Sequence, residues 1–190
     1  AVHPDSRVVV KAPVNSDITL IEKKIKKRAR WIFKQLDYFR KFTPKTPNRI
    51  YINGETHLYL GKQYRLKIMK GSNNSVKLTR GVFQIICSSE PSPEVTKNLM
   101  QNWYRKKADI QFKESLERCW PKLKAIVTDK PYISIKKMEK KWGSLSEKGV
   151  ITLNTNLVKA PKECIDYVVT HELCHLKYNN HSSDFYNLLD

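Results

Sequence analysis

An α+β fold follows from three features of this 190-residue sequence. Short strand-like segments crowd residues 49–87, amphipathic helical patterns flank them, and two more strand patterns immediately precede a histidine-bearing helix that begins near Pro161. The assembly they predict is a helix lying beside a small antiparallel sheet, preceded by a β-rich part. Residues 1–90 are read as that N-terminal part and residues 91–190 as the part carrying the histidine helix, the two being able to pack as one domain.

In chain order, residues 6–12 alternate weakly and are rich in valine, which predicts a strand ended by Pro13. Asn15, Ser16 and Asp17 offer helix caps, and Ile18, Ile21, Ile25, Ile32, Leu36 and Phe39 follow at helical spacing. The outer face of that helix carries Lys23, Lys24, Lys26, Lys27, Arg28 and Arg30, a run that either touches phosphates or is simply solvated. A Pro- and Thr-rich link at 43–47 leads to strand patterns at 49–52, 58–60, 63–70, 75–79 and 82–87, separated by Gly- and Asn-containing turns. These predict an antiparallel meander. Ser92 and Pro93 open a long helix to about Cys119, closed by Pro121. Its Trp103-Tyr104-Arg105-Lys106-Lys107 segment suits either the core or base stacking, and aromatic residues on a helix favour the core. Strands at 133–138 and 149–154 follow, the second placed either to offer a free edge to an extended peptide or only to complete the sheet. After His181, Ser182 or Ser183 caps a short helix with Phe185, Tyr186, Leu188 and Leu189 that covers the histidine helix.

Residues 167–181 read Y-V-V-T-H-E-L-C-H-L-K-Y-N-N-H and concentrate the chemistry. On a helix turning about 100° per residue, His171 and His175 lie roughly 40° apart, so both imidazoles reach one ion. Glu172 between them is placed to hold and deprotonate a metal-bound water. Asn179 and Asn180 tolerate left-handed backbone, so a break there swings His181 back as a third ligand. Three imidazoles leave one position of a tetrahedral ion open, as in catalytic zinc sites, though other divalent transition metals suit the same donors. Ile165, Val168, Val169, Leu173 and Leu176 form the apolar stripe of this helix.

Thirty-six Lys and Arg against eighteen Asp and Glu give a formal charge of +18. That excess raises affinity for polyanions, so a nucleotide or nucleic-acid partner is an expectation beside a peptide or protein substrate. Cys87, Cys119, Cys164 and Cys174 form no C-x-x-C pair, which favours a reducing compartment, and Cys174 reads as a bystander on the side away from the apolar stripe. No apolar run approaches the roughly 20 residues of a membrane-spanning helix, and no signal-peptide pattern opens the chain, so a cytoplasmic location is expected. A first residue other than Met and an end soon after His181 lead us to expect a piece of a longer protein.

Several motifs carry a family resemblance: W-G-S-x-S from Trp142, I-T-L-N from Ile151, Pro161, D-Y-V-V from Asp166, H-E-L-C-H-L from His171 and N-H-S from Asn180. With V-x-V-x-A-P ending at Pro13, Y-L-G-K from Tyr59 and W-Y-R-x-x-A from Trp103, the sequence resembles the YgjP-like metallopeptidases, SprT-like proteins related to the gluzincins, over most of its length. The resemblance implies a zincin-like catalytic core with zinc ligands at His171, His175 and His181 and a catalytic Glu172. Trp142, Gly143, Ser144, Asn154 and Tyr186 are the candidate substrate-binding residues. Leu145 stands where members commonly have Cys, and Tyr178 stands where the metzincins, which share the histidine spacing, have Gly.

A zinc peptidase is therefore the first functional expectation. Hydrolysis of nucleoside triphosphates or other phosphoanhydrides is the second, motivated by charge but lacking a Gly-rich phosphate loop. A basic nucleic-acid-binding module is the third.

Overall fold

The computed structural model describes residues 2–3, 7–41, 48–124 and 129–190. The expected link at 43–47 and the start of the expected first strand lie outside the described residues. The chain divides into two compact units, Ala1–Asn48 and Arg49–Asp190. The boundary expected near residue 90 falls inside the second unit, where strand and helix share one core.

In the first unit, α1 spans Ile18–Arg40. Asp17 caps it by accepting from the Thr19 N–H and hydroxyl, each at 2.8 Å. None of its residues is buried. Before it, the expected valine strand reduces to a single bridge between Val2 and Val8.

The second unit opens with β1 (Thr56–Tyr59), β2 (Lys62–Lys70), β3 (Ser75–Thr79) and β4 (Val82–Cys87), in spatial order β1-β2-β4-β3. This is not the expected meander, because β2 and β4 pair in parallel. The chain leaves β2, steps past the slot that β4 will take, and returns along β3 before turning into it. Gly71 permits the crossing: a Cβ there would sit 2.5 Å from Ile86 Cγ2. Residues 49–52 form no strand.

Leu60 and Gly61 turn β1 into β2 with φ of 48° and 77°, positive at both central residues as a type I′ turn requires. Their N–H groups donate to the Val158 and Lys159 carbonyls, each at 3.0 Å. Gly61 also admits Pro161, whose Cγ would lie 2.8 Å from an added Cβ. The Y-L-G-K motif thus ties the first sheet to the entry of the histidine helix.

The long helix α2 runs Pro93–Leu123, through Pro121 and past the expected end. The proline sits in the last turn, where its missing N–H removes one hydrogen bond and the helix need not continue far. Ser92 caps the start. Met100, Trp103, Tyr104, Ala108, Phe112 and Leu116 are buried against Leu66, Phe83 and Ile85 of the first sheet and Ile151 and Leu153 beyond. Trp103 and Tyr104 are therefore core residues, with their rings packed edge-on to Phe83.

A second sheet holds β5 (Tyr132–Lys136), β6 (Gly143–Leu145) and β7 (Val150–Asn154) in the order β5-β7-β6. β5 pairs with β7 in parallel and β6 with β7 antiparallel, so the sheet beside the histidine helix is mixed rather than purely antiparallel. A 3-10 turn, Thr155–Lys159, leads to α3 (Lys162–Cys174), and α4 (Ser183–Leu189) ends the chain. Ile165, Val169 and Leu173 of α3 are buried as the periodicity predicts, but Cys174 is buried too, since α3 has neighbours on more than one side. All four cysteines are unpaired. Among the described residues no helix is long and apolar enough to cross a membrane.

Candidate metal centre and its cleft

α3 ends at Cys174, and His175 already caps it. Leu176, Lys177 and Tyr178 then donate back to Leu173 and Cys174 in tight turns, reversing the chain earlier than the asparagines had suggested. The reversal brings His181 to α3, where its Nε2 lies 3.1 Å from Nε2 of His171. Ser182 then caps α4 by accepting from Phe185 N–H.

One ligand atom from each of His171, His175 and His181 falls within 4.8 Å of the others. Two details of this arrangement fit a metal. The Nδ1 of His175 lies 2.9 Å from the Tyr178 carbonyl oxygen, which can only accept, so Nδ1 carries the hydrogen and Nε2 keeps its lone pair for an ion. The paired Nε2 atoms of His171 and His181 stand close to the separation of about 3.3 Å set by zinc–nitrogen bonds of about 2.0–2.1 Å at tetrahedral angles. Burial, and then the neighbouring His175 and His181, holds His171 below the usual histidine range, which keeps its ring neutral and able to ligate.

Behind the three rings stands Phe185, fully buried, with ring centroids 5.0, 4.7 and 4.8 Å from His171, His175 and His181. Its apolar face backs the cluster and leaves the opposite side open.

That open side is a cleft of about 550 Å³. Its far wall is β6 with Gly143 and Ser144, the turn after it with Glu147, and Lys141 from the segment before it. Glu172, 6 % exposed, reaches across from α3 to this wall. Burial pushes its carboxyl up, against the pull of His175, Lys141 and the Leu145 N–H. The contact with Gly143 is so close that an added Cβ would meet Glu172 Oε1 at 2.6 Å and Cγ at 2.8 Å.

β6 is an edge strand. Ser146 N–H turns inward to the Val150 carbonyl. By alternation the backbone groups of Gly143 and Leu145 turn outward, to the cleft. β7 is flanked on both sides, so the free edge belongs to the three-residue β6 and not to the longer strand whose pattern was visible in sequence.

Of the candidate substrate-binding residues, Gly143 and Ser144 line the cleft. Trp142 is largely exposed beside it, and Tyr186 stacks at 6.2 Å from the His181 ring. Asn154 is buried beneath the wall. The sequence reading overlooked Phe185 as the backing of the histidines and the Tyr178 carbonyl as the orienter of His175. A buried Phe two residues into a capped helix just after the third histidine was the available signal for the first.

A buried glutamate and three converging imidazoles that could hold a metal ion share one cleft. The family described as YgjP-like, metallopeptidase domain matches residues 1–190, and the chain belongs to that family. Membership makes it a metallopeptidase-type hydrolase that uses a divalent metal, typically zinc. Two crystal structures are similar to part of it. The metallopeptidase zymogen abylysin of Pyrococcus abyssi is 26% identical, over 41% of this chain and 75% of its own, with a TM-score of 0.38. The zymogen jannalysin of Methanocaldococcus jannaschii is 30% identical, over 42% of this chain and 72% of its own, also with a TM-score of 0.38. No curated protein matches.

Proposed function

We propose that this protein hydrolyses peptide bonds, with His171, His175 and His181 holding the metal and Glu172 acting as general base. Zinc is the ion that best suits three imidazoles; when bound, it supplies a Lewis acid that polarises a carbonyl and makes water more acidic. The observation that carries the reading is Glu172: a carboxylate packed against the β6 wall, in the same cleft as the three rings. From there it takes the proton of the attacking water and returns it to the leaving nitrogen.

The outward edge of β6 suits an extended peptide, whose backbone would pair with Gly143 and the Leu145 carbonyl and bring its own carbonyl past Glu172, which holds the Leu145 N–H. Trp142, Ser144 and Tyr186 border the path of such a chain. A phosphate chain would find less, since Lys141 is the only lysine or arginine among the described residues lining the cleft.

The test is elemental analysis with hydrolysis of unfolded proteins by wild type and Glu172→Gln. The expected outcome is about one zinc per chain in both and a fall of about 10²–10⁴-fold in kcat for the variant. Full activity of metal-loaded Glu172→Gln would sink the mechanism.

A further inference from the structure

Lys141, the lone lysine or arginine among the described residues lining the cleft, sits on an irregular segment between β5 and β6 whose residues are mostly exposed. Such a segment has no ladder of its own to hold a side chain in place. What grips it is Asn154, 4 % exposed at the end of β7. The Asn154 side-chain nitrogen donates to the Met138 carbonyl at 2.7 Å and the Lys141 carbonyl at 2.9 Å. Its backbone N–H donates to the Trp142 carbonyl at 2.9 Å. Its side-chain oxygen accepts the Asn156 N–H at 3.1 Å, capping the 3-10 turn that leads to α3. Asn154, through its side-chain amide and its backbone N–H together, therefore fixes the backbone on both sides of Lys141 and ties it to the approach of the histidine helix.

Hydrolysis of a peptide bond develops negative charge on the carbonyl oxygen, which a cation lining the cleft can stabilise. As the water oxygen bonds to the carbonyl carbon, its proton passes to Glu172 and the carbonyl electron pair moves onto oxygen. The carbon–nitrogen bond then breaks as that pair returns, and the nitrogen takes the proton from Glu172. The charge that appears on oxygen in between is where a preorganised cation gains most.

We propose that Lys141 stabilises the negative charge on the scissile carbonyl oxygen, and that Asn154 is the positioning residue that holds Lys141 at the cleft. The inference rests on the peptidase reading. Lys141 and Glu172 line the same cleft.

The experiment measures kcat and KM on one peptide substrate for wild type, Glu172→Gln, Lys141→Met, Lys141→Arg, Asn154→Ser and the double variant Lys141→Met/Asn154→Ser. Zinc content, thermal midpoint and the rate of tryptic cleavage after Lys140 and Lys141 are recorded for each. Lys141→Met should lower kcat about 10²–10³-fold with KM little changed, as loss of an oxyanion donor does, and Lys141→Arg should restore most of it. Asn154→Ser keeps a hydroxyl for the cap but loses both amide donors. It should speed tryptic cleavage, retain zinc and lower kcat, yet add little once Lys141 is Met, because the two act as one unit.

Unchanged kcat in Lys141→Met, or a rise in KM alone, overturns the role of Lys141. Additive losses in the double variant overturn the role of Asn154. Should Asn154→Ser not fold, the Lys141 pair decides. Absence of Glu172-dependent hydrolysis in wild type would remove the peptidase reading and this inference with it, whereas an active wild type with an unaffected Lys141→Met removes the inference alone.

Discussion

Gly143 shows at the scale of one residue how the cleft is built. An added Cβ would lie under 3.0 Å from three atoms of Glu172, including Cγ and Cδ, so the carboxylate arm as a whole would have to move. Because a glutamate arm is flexible, the movement costs little stability and instead misplaces the carboxylate proposed as the base. Gly143→Ala should therefore keep zinc and nearly the wild-type melting temperature while kcat falls at least about tenfold, as sub-ångström misplacement of a catalytic group does. Wild-type turnover in that variant would show that the close packing is incidental. The sequence displayed the histidines and Glu172 because their spacing is helical and local. Gly143 was legible only as a candidate at the substrate path, while its packing against Glu172 and the place of Phe185 behind the histidines were hidden, because each is a contact with another element that no local period records.

Among the elements, α3 is held from behind as well as from the cleft. Asp166, one turn before His171, accepts from Arg118 of α2 through Nε at 3.2 Å and Nη2 at 2.7 Å, and from the Ser115 hydroxyl. Burial alone would raise the Asp166 carboxyl, but the donors outweigh it and hold it below the usual aspartate range. A folded-state pKa below the unfolded one stabilises the protein above about pH 3.9, and that contribution is lost as pH falls through the lower folded value. Arg118 and Asp166 are 43% and 32% exposed, so solvent screening limits the clamp to about 1 kcal/mol. Asp166→Asn should be less stable at neutral pH and lose stability less steeply below about pH 4, measured by denaturant unfolding at several pH values. An acid limb as steep as the wild type would assign the acid sensitivity elsewhere. Helices were legible at this scale, from caps at Asp17, Ser92 and Ser182 and from apolar spacing. The parallel pairing of β2 with β4 was not, because alternation gives the face of a strand but not its neighbour, and β6 is too short to leave any pattern.

At the scale of the whole molecule, the unit Arg49–Asp190 has one continuous core, yet its last elements are attached unevenly. α3 is buried between α2 and the mixed sheet, while His181 is exposed, lies beyond a chain reversal and meets α3 through the histidine cluster and Phe185. A metal joining His171 and His175 to His181 would therefore act as a cross-link between α3 and α4, present only in the folded state. By linkage, free metal at about 100 times its Kd stabilises by about 2.7 kcal/mol. For a chain of this length that corresponds to a fall of roughly 5–10 °C in melting temperature on chelation. The loss should be local: hydrogen exchange should quicken in α4 and the reversal before it, and hardly change in β2 and β4, whose parallel pairing lies in the other sheet. A His181→Ala variant should bind metal more weakly and show a smaller chelator response. If chelation removes the metal without moving the melting temperature or α4 exchange, the three histidines do not link these helices through an ion, and α4 is held by Phe185 packing alone.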